Sequence, residues 1–416
     1  MSTVRPFFSV VMPTYNRAHL LPLAIESVLQ QSVADFELII SNGGSTDNTR
    51  DAVAGFSDKR IRYFETEEKL SIGDNYQYAL QQANGEYITF LGDDDAFAPI
   101  MFERVKRVIT ERQAQVVAFQ YCNYYHNEYV DDDFSYIHPN TLQIPQFTGE
   151  TLEFKAAEAI KQLFGYHGLN NAERNGKFII PYLANAVYHK DVFSRIQSKT
   201  NNPFAATPAD MYMAAAVFYV IDSYFCLDEP LHIWSRWSGS STALPHKKGN
   251  ELRKHYEKLL NGQTLQFTPL KSALPHNCSV NAVLQAGNDF QGVNYQSEID
   301  WFLYYKTIYE NLMYLKSLGV DITEEIGDFQ KVLSQEPVGL RQRVNSEISK
   351  FSRSSKRFLR NNLPFVVKPL KKLLDRRNPN KPAVIRGIEG GFNNALEAAC
   401  FLGKSVAQGK MLRGAQ

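Results

Sequence analysis

The stretch EYITFLGDDDAFAP, residues 86–99, decides how the chain is read. An apolar run from Tyr87 to Leu91 leads directly into three consecutive carboxylates, Asp93, Asp94 and Asp95. A short continuous apolar run suits a strand buried on both faces. Three adjacent like charges repel one another, so the fold gains nothing from them unless a positive group sits there. A solvated acidic turn is one account of the triplet. A metal site at the end of a buried strand is the other, and the flanking sequence favours it.

Upstream, strands and helices alternate. FFSVVMP (7–13) reads as a buried strand, and NRAHLLPLAIESVLQQS spaces Leu20, Leu21, Ala24, Ile25, Val28 and Leu29 at helical period. FELIIS (36–41) is a second strand, and STDNTRDAVAGF a helix with Ser45 or Thr46 as its N-cap. IRYFET is a third strand, and SIGDNYQYALQQAN a helix from near Ser71 that Gly85 ends. After the acidic triplet, PIMFERVKRVITER is a helix and AQVVAFQY a fifth strand. Such alternation implies right-handed βαβ units, hence an α/β fold with a doubly wound, mainly parallel sheet. Ligands of such sheets bind beyond the C-terminal ends of the strands. PTYNR, NGGSTD and the acidic triplet all fall there, so three polar clusters meet at one edge.

Beyond residue 122 the pattern loosens. A second acidic triplet, Asp131 to Asp133, follows no buried strand and reads as a solvent loop. YLANAVYHKDVFSRI reads as strand and helix, and NNPFAATPADMYMAAAVFYV as a polar loop entering an apolar helix near Asp210. CLDEPLHIWSRWSGSST reads as a last strand with a Gly/Ser loop. The organisation expected is therefore a domain over 1–245, a helical region over 246–340 and a basic amphipathic segment over 341–416. Between Arg341 and Arg377 twelve Lys and Arg face two acids, Glu347 and Asp375.

A net charge of +1 gives no overall field that favours nucleic acid, and none is expected as a partner. Four widely spaced cysteines without a CxxC pair fit free thiols in a reducing compartment. The N-terminus enters a strand at once, without the apolar core of a signal peptide, and no run of about 18 apolar residues occurs. The expected location is the cytoplasm.

Hard cations such as Mn2+ or Mg2+ prefer oxygen ligands and are often held by one or two carboxylates plus substrate phosphates. SNGGSTD adds small residues and backbone N–H groups ahead of a helix, which suits a phosphate or nucleotide. Together these features point to a nucleoside diphosphate donor. The order SVVMPTYNR, ELIISNGGSTDNT and DNYQYALQQANGEYITFLGDDDAFAP resembles the family 2 inverting glycosyltransferases of GT-A fold, closely over residues 7–120 and more faintly to about 242.

The resemblance implies a nucleotide-sugar site at Pro13, Tyr15, Arg17, Asn42 and Ser45, with Asp74 and Asn75 contributed by the helix before the acidic motif. It implies Asp93 on the ribose side and Asp94 or Asp95 on the metal. Two departures stand out: Asn42-Gly43 replaces an acid that commonly contacts the base, and Gly92 replaces the first Asp of the motif. The family keeps its catalytic base at a downstream helix start, and in TPADMYMAAAVF that residue is Asp210. Arg236 and His232 are expected to reach the diphosphate from a closing loop, and Trp234 and Trp237 to stack on a sugar or pack in the core. His19 reads as a helix-start residue.

The implied activity is metal-dependent, inverting transfer to a saccharide or lipid-linked saccharide in surface polysaccharide or glycolipid assembly. The basic segment 341–377, with its Phe, Val and Leu, then suits peripheral contact with an anionic membrane at its inner face. A nucleotidyltransferase is the alternative enzyme, although PTYNR lacks the glycine run that class shows after its first strand. A non-catalytic nucleotide-sugar-binding scaffold is the other, motivated by Gly43.

Overall fold

A computed structural model describes residues 5–127, 138–167, 177–204, 206–237, 262–290, 299–317, 320–361 and 382–408, with isolated positions between 254 and 260. The second acidic triplet, the Gly/Ser loop after Trp237, the boundary near 245 and residues 362–377 lie outside the described residues.

The expected alternation opens the chain: β1 (Phe8–Thr14), α1 (Leu21–Leu29), β2 (Phe36–Asn42), α2 (Thr49–Ala54), β3 (Ile61–Glu65), α3 (Ile72–Gln81) and β4 (Tyr87–Phe90). These four strands pair in parallel in the order β3-β2-β1-β4. Side chains alternate across the sheet as strand geometry demands. Val11, Ile39, Ile88 and Phe90 pack on one face, while Val10, Met12, Leu38, Ile40 and Leu91 pack on the other. Each such fully buried side chain contributes about 1.5–3 kcal/mol. Helices cover both faces, so the sheet is doubly wound.

The sheet then changes character. β5 (Ala96–Phe97), α4 (Met101–Arg112), β6 (Val116–Tyr125), β7 (Thr141–Ile144), β8 (Thr151–Lys155) and α5 (Ala156–Tyr166) lead to β9 (Ala186–His189). β9 inserts antiparallel between β4 and β6. β7 is antiparallel to β6. After α6 (Lys190–Gln197) and α7 (Ala209–Val220), the long strand β10 (Ser223–Arg236) runs parallel to β6 and antiparallel to β5 and β8. The whole is an eleven-stranded mixed sheet. The mainly parallel arrangement read from the sequence holds for the first four strands. An apolar run reads the same in either direction, so the antiparallel half carries no mark of its polarity.

Helices α8 (Pro275–Phe290), α9 (Trp301–Ser317), α10 (Thr323–Gln335) and α11 (Val338–Asn361) follow. Residues 341–416, read as one basic segment, divide. Leu340, Val344 and Ile348 on α11 pack into the core shared with α9, and Arg343 and Lys350 of the same helix are exposed. The chain then returns as β11 (Ala383–Arg386), antiparallel to β7, and α12 (Ala395–Ala407), whose Ala395, Ala398, Ala399, Leu402 and Val406 join the core under β10. The four cysteines are free. No helix among the described residues is long and apolar enough to cross a membrane.

Candidate functional site

The parallel register sets Thr14 beside Asn42 at the C-terminal ends of β1 and β2, with β4 on the other side of β1. The loops that leave these three ends bond to one another. Thr14 Oγ1 donates to Asp93 Oδ2 at 2.6 Å. Asn16 takes a positive φ of 55°, a region Asn tolerates. Its N–H donates to Ser45 Oγ at 2.9 Å, and its Oδ1 accepts from the Thr46 N–H at 2.8 Å. Lys69 lies over the Tyr15 ring at 4.2 Å, and Pro13 is half-buried beside them on β1.

Two of the expected donor-binding residues prove to be clamps. Asn75 is 5% exposed. Its Nδ2 donates to the Thr14 and Ser41 carbonyls, and its Oδ1 accepts from Ser41 Oγ. Every polar atom of that side chain is used in holding α3 to β1 and β2. Asn42 is 1% exposed, donates to Tyr63 and Glu65, and accepts from the Ser45 N–H. A Cβ at Gly43 would lie 2.7 Å from Asn75 Nδ2, so an acid at that position requires Asn75 to move. Glu65, at the end of β3 and paired with Arg50, brings a carboxylate to the same corner from the next strand. Asp74 is exposed; it accepts from Ser71 Oγ and from Asn202 Nδ2.

The acidic triplet turns back over Gly92. A Cβ there would lie 2.9 Å from Asp95 Oδ2 and 3.1 Å from Asp94 Oδ1, which explains why the first position of the motif is glycine. The three carboxylates have different surroundings. Asp95 is 7% exposed and fully engaged: Oδ1 accepts from the Ser235 N–H at 2.8 Å, and Oδ2 lies 3.1 Å from His232 Nε2. Asp94 accepts from Trp237 Nε1 at 2.8 Å through Oδ2. Arg17 stacks on the same indole at 4.7 Å and His19 meets its edge at 5.5 Å. Burial, with the charges of Asp95 and Asp93 added, pushes the Asp94 carboxyl up to about 8. Burial likewise pushes Asp93 up to about 6, against the opposing Thr14 hydrogen bond and Arg17 charge. A buried acidic cluster whose carboxyls stay raised despite these partners could hold a cation.

No group of three or more His, Cys, Asp or Glu among the described residues forms a metal cage. The buried, mutually repelling carboxylates of Asp93 and Asp94 are oxygen donors that could hold a hard cation, with other oxygens completing the shell. Of the expected pair, Asp95 is committed on both oxygens to β10, while Asp94 accepts from Trp237 through Oδ2.

Asp210 sits in the first turn of α7, whose residues Tyr212 to Phe218 are all buried, so the helix is held rigidly. Its Oδ1 accepts from the Met211 N–H, and burial raises its carboxyl above the usual range. Beyond the effect of burial, the Tyr76 phenol is raised by the charges of Asp210, Asp93, Asp95 and Asp94 together.

His232 and Arg236 belong to β10 and not to a closing loop. His232 is 2% exposed. Arg236 donates from Nε to Asn123 Oδ1 at 3.2 Å and stacks on Trp234 at 4.0 Å, toward β6. The sequence reading missed Thr14, Glu65, Tyr76 and the position of Trp237 against Asp94. Only Thr14 carried a local signal, inside PTYNR.

Residues 9–197 match the family model described as glycosyl transferase family 2. An Escherichia coli UDP-Glc:alpha-D-GlcNAc-diphosphoundecaprenol beta-1,3-glucosyltransferase is 34% identical over 28% of this chain and 45% of its own length. The glycosyltransferase GlyG of Streptococcus pneumoniae is 27% identical over 56% of this chain and 71% of its own length. The match to the E. coli relative thus spans less than half of that protein. Among solved structures, S. aureus TarS 1-349 in complex with UDP-GlcNAc aligns over 98% of this chain and 93% of that one, at 12% identity and a TM-score of 0.43.

Proposed function

Residues 9–197 being a glycosyl transferase family 2 domain, we propose that the chain transfers a sugar from a nucleoside diphosphate donor to an acceptor hydroxyl with inversion. The observation that carries the reading is the meeting of the loops after β1, β2 and β4, where Thr14 bonds to Asp93, Asn16 to Ser45 and Trp237 to Asp94. In this reading Asp210, a separate buried carboxylate at the start of α7, is the general base for in-line displacement.

In this reading Ser45 and Glu65 line the base corner that Asn42 holds together, with Pro13 and Tyr15 beside it, and Asp93 takes the ribose side. Asp74 flanks the donor from α3, and Asn75 acts through the loops it clamps. Arg17, on the Trp237 indole, contributes positive charge near the leaving diphosphate. Arg236 orders the end of β10 through Asn123. A Mn2+ or Mg2+ ion held through Asp94, with Asp95 behind it, would supply charge stabilisation for the diphosphate. Asp210 accepts the proton of the acceptor hydroxyl. Its raised carboxyl brings its proton affinity nearer neutrality, which favours a base.

The acceptor in this reading is a saccharide, free or lipid-linked, as in surface polysaccharide and glycolipid assembly. The E. coli relative is named for such a diphosphoundecaprenol-linked acceptor. The basic face of α11 and the following residues would rest on anionic lipid, making the protein peripheral to the cytoplasmic face. The working division of the chain is a transferase unit over 1–245, completed by 382–408, with helices between.

Calorimetry with a panel of nucleotide-sugars, with and without Mn2+, tests the donor. Asp210→Asn is expected to lower kcat by roughly 10²–10⁴-fold with donor Kd unchanged. Normal turnover in Asp210→Asn removes that residue from the mechanism.

A further inference from the structure

We propose that Trp237 is a positioning residue for the donor's diphosphate, holding Asp94 for a cation by its indole N–H and the Arg17 guanidinium on its ring face. The inference rests on the transferase reading and extends it to a residue outside the expected donor site.

Trp237 directly follows β10, and the end of that strand is pinned on both sides. The Ser235 N–H donates to Asp95 Oδ1 at 2.8 Å, and the Arg236 carbonyl accepts from the His126 N–H at 2.9 Å. The half-buried indole therefore leaves a fixed backbone. Its N–H donates to Asp94 Oδ2 at 2.8 Å. The Arg17 guanidinium lies 4.7 Å from the ring centroid, and the His19 ring meets its edge at 5.5 Å. Arg17 is anchored in turn. Its carbonyl accepts from the Leu20 and Leu21 N–H groups at 3.0 Å, where α1 begins, and the adjacent Ala18 N–H donates to Asp47 Oδ2 at 3.0 Å. One side chain thus joins the loop after β1, the acidic triplet after β4 and the end of β10.

Indole chemistry suits this place in two ways. The N–H only donates, so it orients a carboxylate without competing for the cation, as a histidine there would. Its bond to an ionised acceptor is also stronger than one between neutral groups. The ring face attracts a guanidinium. Gly92 completes the arrangement, because Asp94 Oδ1 lies 3.1 Å from where a Cβ at that position would stand. A cation on Asp94 and the guanidinium on the ring would be two positive charges set by one side chain. That is the pairing a leaving diphosphate calls for.

Calorimetry on the full chain with UDP, GDP and dTDP, in EDTA and in Mn2+, tests the proposal. Trp237→Phe keeps a ring for Arg17 and loses the N–H. Its affinity in EDTA is expected to stay within about twofold, while its affinity in Mn2+ falls roughly ten- to a hundredfold, the usual cost of removing a ligand's partner. Trp237→Leu loses both functions and is expected to weaken binding in EDTA as well. In a cycle with Arg17→Met, Trp237→Leu should add nothing to the loss in EDTA, because the indole acts there through Arg17. Trp237→Phe that leaves the Mn2+ gain intact, or that weakens both affinities equally, overturns the inference alone. So does a Trp237→Leu loss that adds to that of Arg17→Met. Wild-type protein that binds a nucleotide no tighter in Mn2+ removes the cation and this inference, and leaves the donor site standing. Wild-type protein that binds none of the three nucleotides overturns the transferase reading and this inference with it. Where neither Trp237 variant folds, nitrogen-15 indole spectra of the wild type decide. The chain has three tryptophans, so elimination with Trp234→Phe and Trp301→Phe assigns the Trp237 N–H. Substoichiometric Mn2+ with nucleotide is expected to bleach that signal before the other two, because it lies next to the ligand oxygen. A Trp237 signal that outlasts either of them overturns the inference.

Discussion

Asp94 is the residue at which electrostatics and function meet most directly. Its carboxyl, raised to about 8 by burial and by its two acidic neighbours, keeps a proton over a range where the unfolded chain has released it. The folded state binds that proton more tightly, so stability falls as pH rises from the ordinary carboxylate value toward 8. Asp94→Asn is expected to flatten this slope and to stabilise the protein at pH 8.5 by about 1.4 kcal/mol or more, the worth of one pKa unit. Thermal melts of both proteins at pH 5 and pH 8.5 give the comparison, and parallel curves would refute it. The same proton competes with a cation. Mn2+ affinity is expected to rise by up to tenfold per pH unit below about 8 and then level off, with proton release visible in calorimetry across buffers of different ionisation enthalpy. Affinity that is flat between pH 6 and 8 would show that Asp94 is not the ligand. The carboxylate triplet was legible in the sequence because an apolar strand feeds it. The roles of Asn42 and Asn75 were not, because their partners are remote in sequence: Asn75 bonds to Thr14, and Asn42 to Tyr63 and Glu65. A polar residue at a sheet edge reads the same whether it faces a ligand or clamps a loop.

At the level of elements, β1, β2 and β3 are tied at the end opposite the site by one buried carboxylate. Glu37 Oε1 accepts from Ser9 Oγ and the Asn84 N–H, each at 2.6 Å, and Oε2 pairs with Arg62 at 2.6 Å. Ser9 Oγ in turn accepts from the Gly85 N–H at 2.7 Å. Glu37→Ala leaves these donors without an acceptor and is expected to cost about 2–4 kcal/mol in urea unfolding. Nucleotide binding at the far edge should persist under native conditions. A loss below 0.5 kcal/mol would mean that the pairing of β1 with β2 does not depend on this network. The helix α3, which carries Asp74, Asn75 and Tyr76, is capped by Ser71, whose Oγ accepts from the Asp74 N–H at 3.1 Å. Ser71→Ala is expected to cost about 1 kcal/mol and to weaken donor binding through Asp74. The parallel half of the sheet was legible because each strand is followed by a helix with its own periodicity. β5, with two residues, and β7 and β11, with four each, are too short for any period to register. They exist because β10, β6 and β7 respectively offer edges to pair with.

For the whole molecule, the C-terminal part is both a component of the catalytic unit and a candidate for contact beyond it. β11 extends the sheet at β7, and α12 packs under β10, so removing everything after residue 340 would strip the sheet that holds the site. Charge reversal is therefore the sound test of membrane contact. Within the first half of α11, Leu340, Val344 and Ile348 pack on the core, while Arg343 and Lys350 are exposed. Attraction through Arg343 and Lys350 is electrostatic, on the order of 1 kcal/mol for each basic group near an anionic surface, and screened by salt. The full chain is expected to float with phosphatidylglycerol vesicles in 0.1 M salt, to be released at 0.5 M, and to ignore phosphatidylcholine. Arg343→Glu with Lys350→Glu is expected to reduce flotation at least tenfold without altering nucleotide binding, because among the described residues Arg343 stacks on Phe302 of α9 and Lys350 pairs with Glu347, both away from the carboxylate edge. Flotation on phosphatidylcholine that resists salt would instead point to apolar insertion by residues beyond α11. An unchanged double variant would take α11 out of the membrane contact altogether.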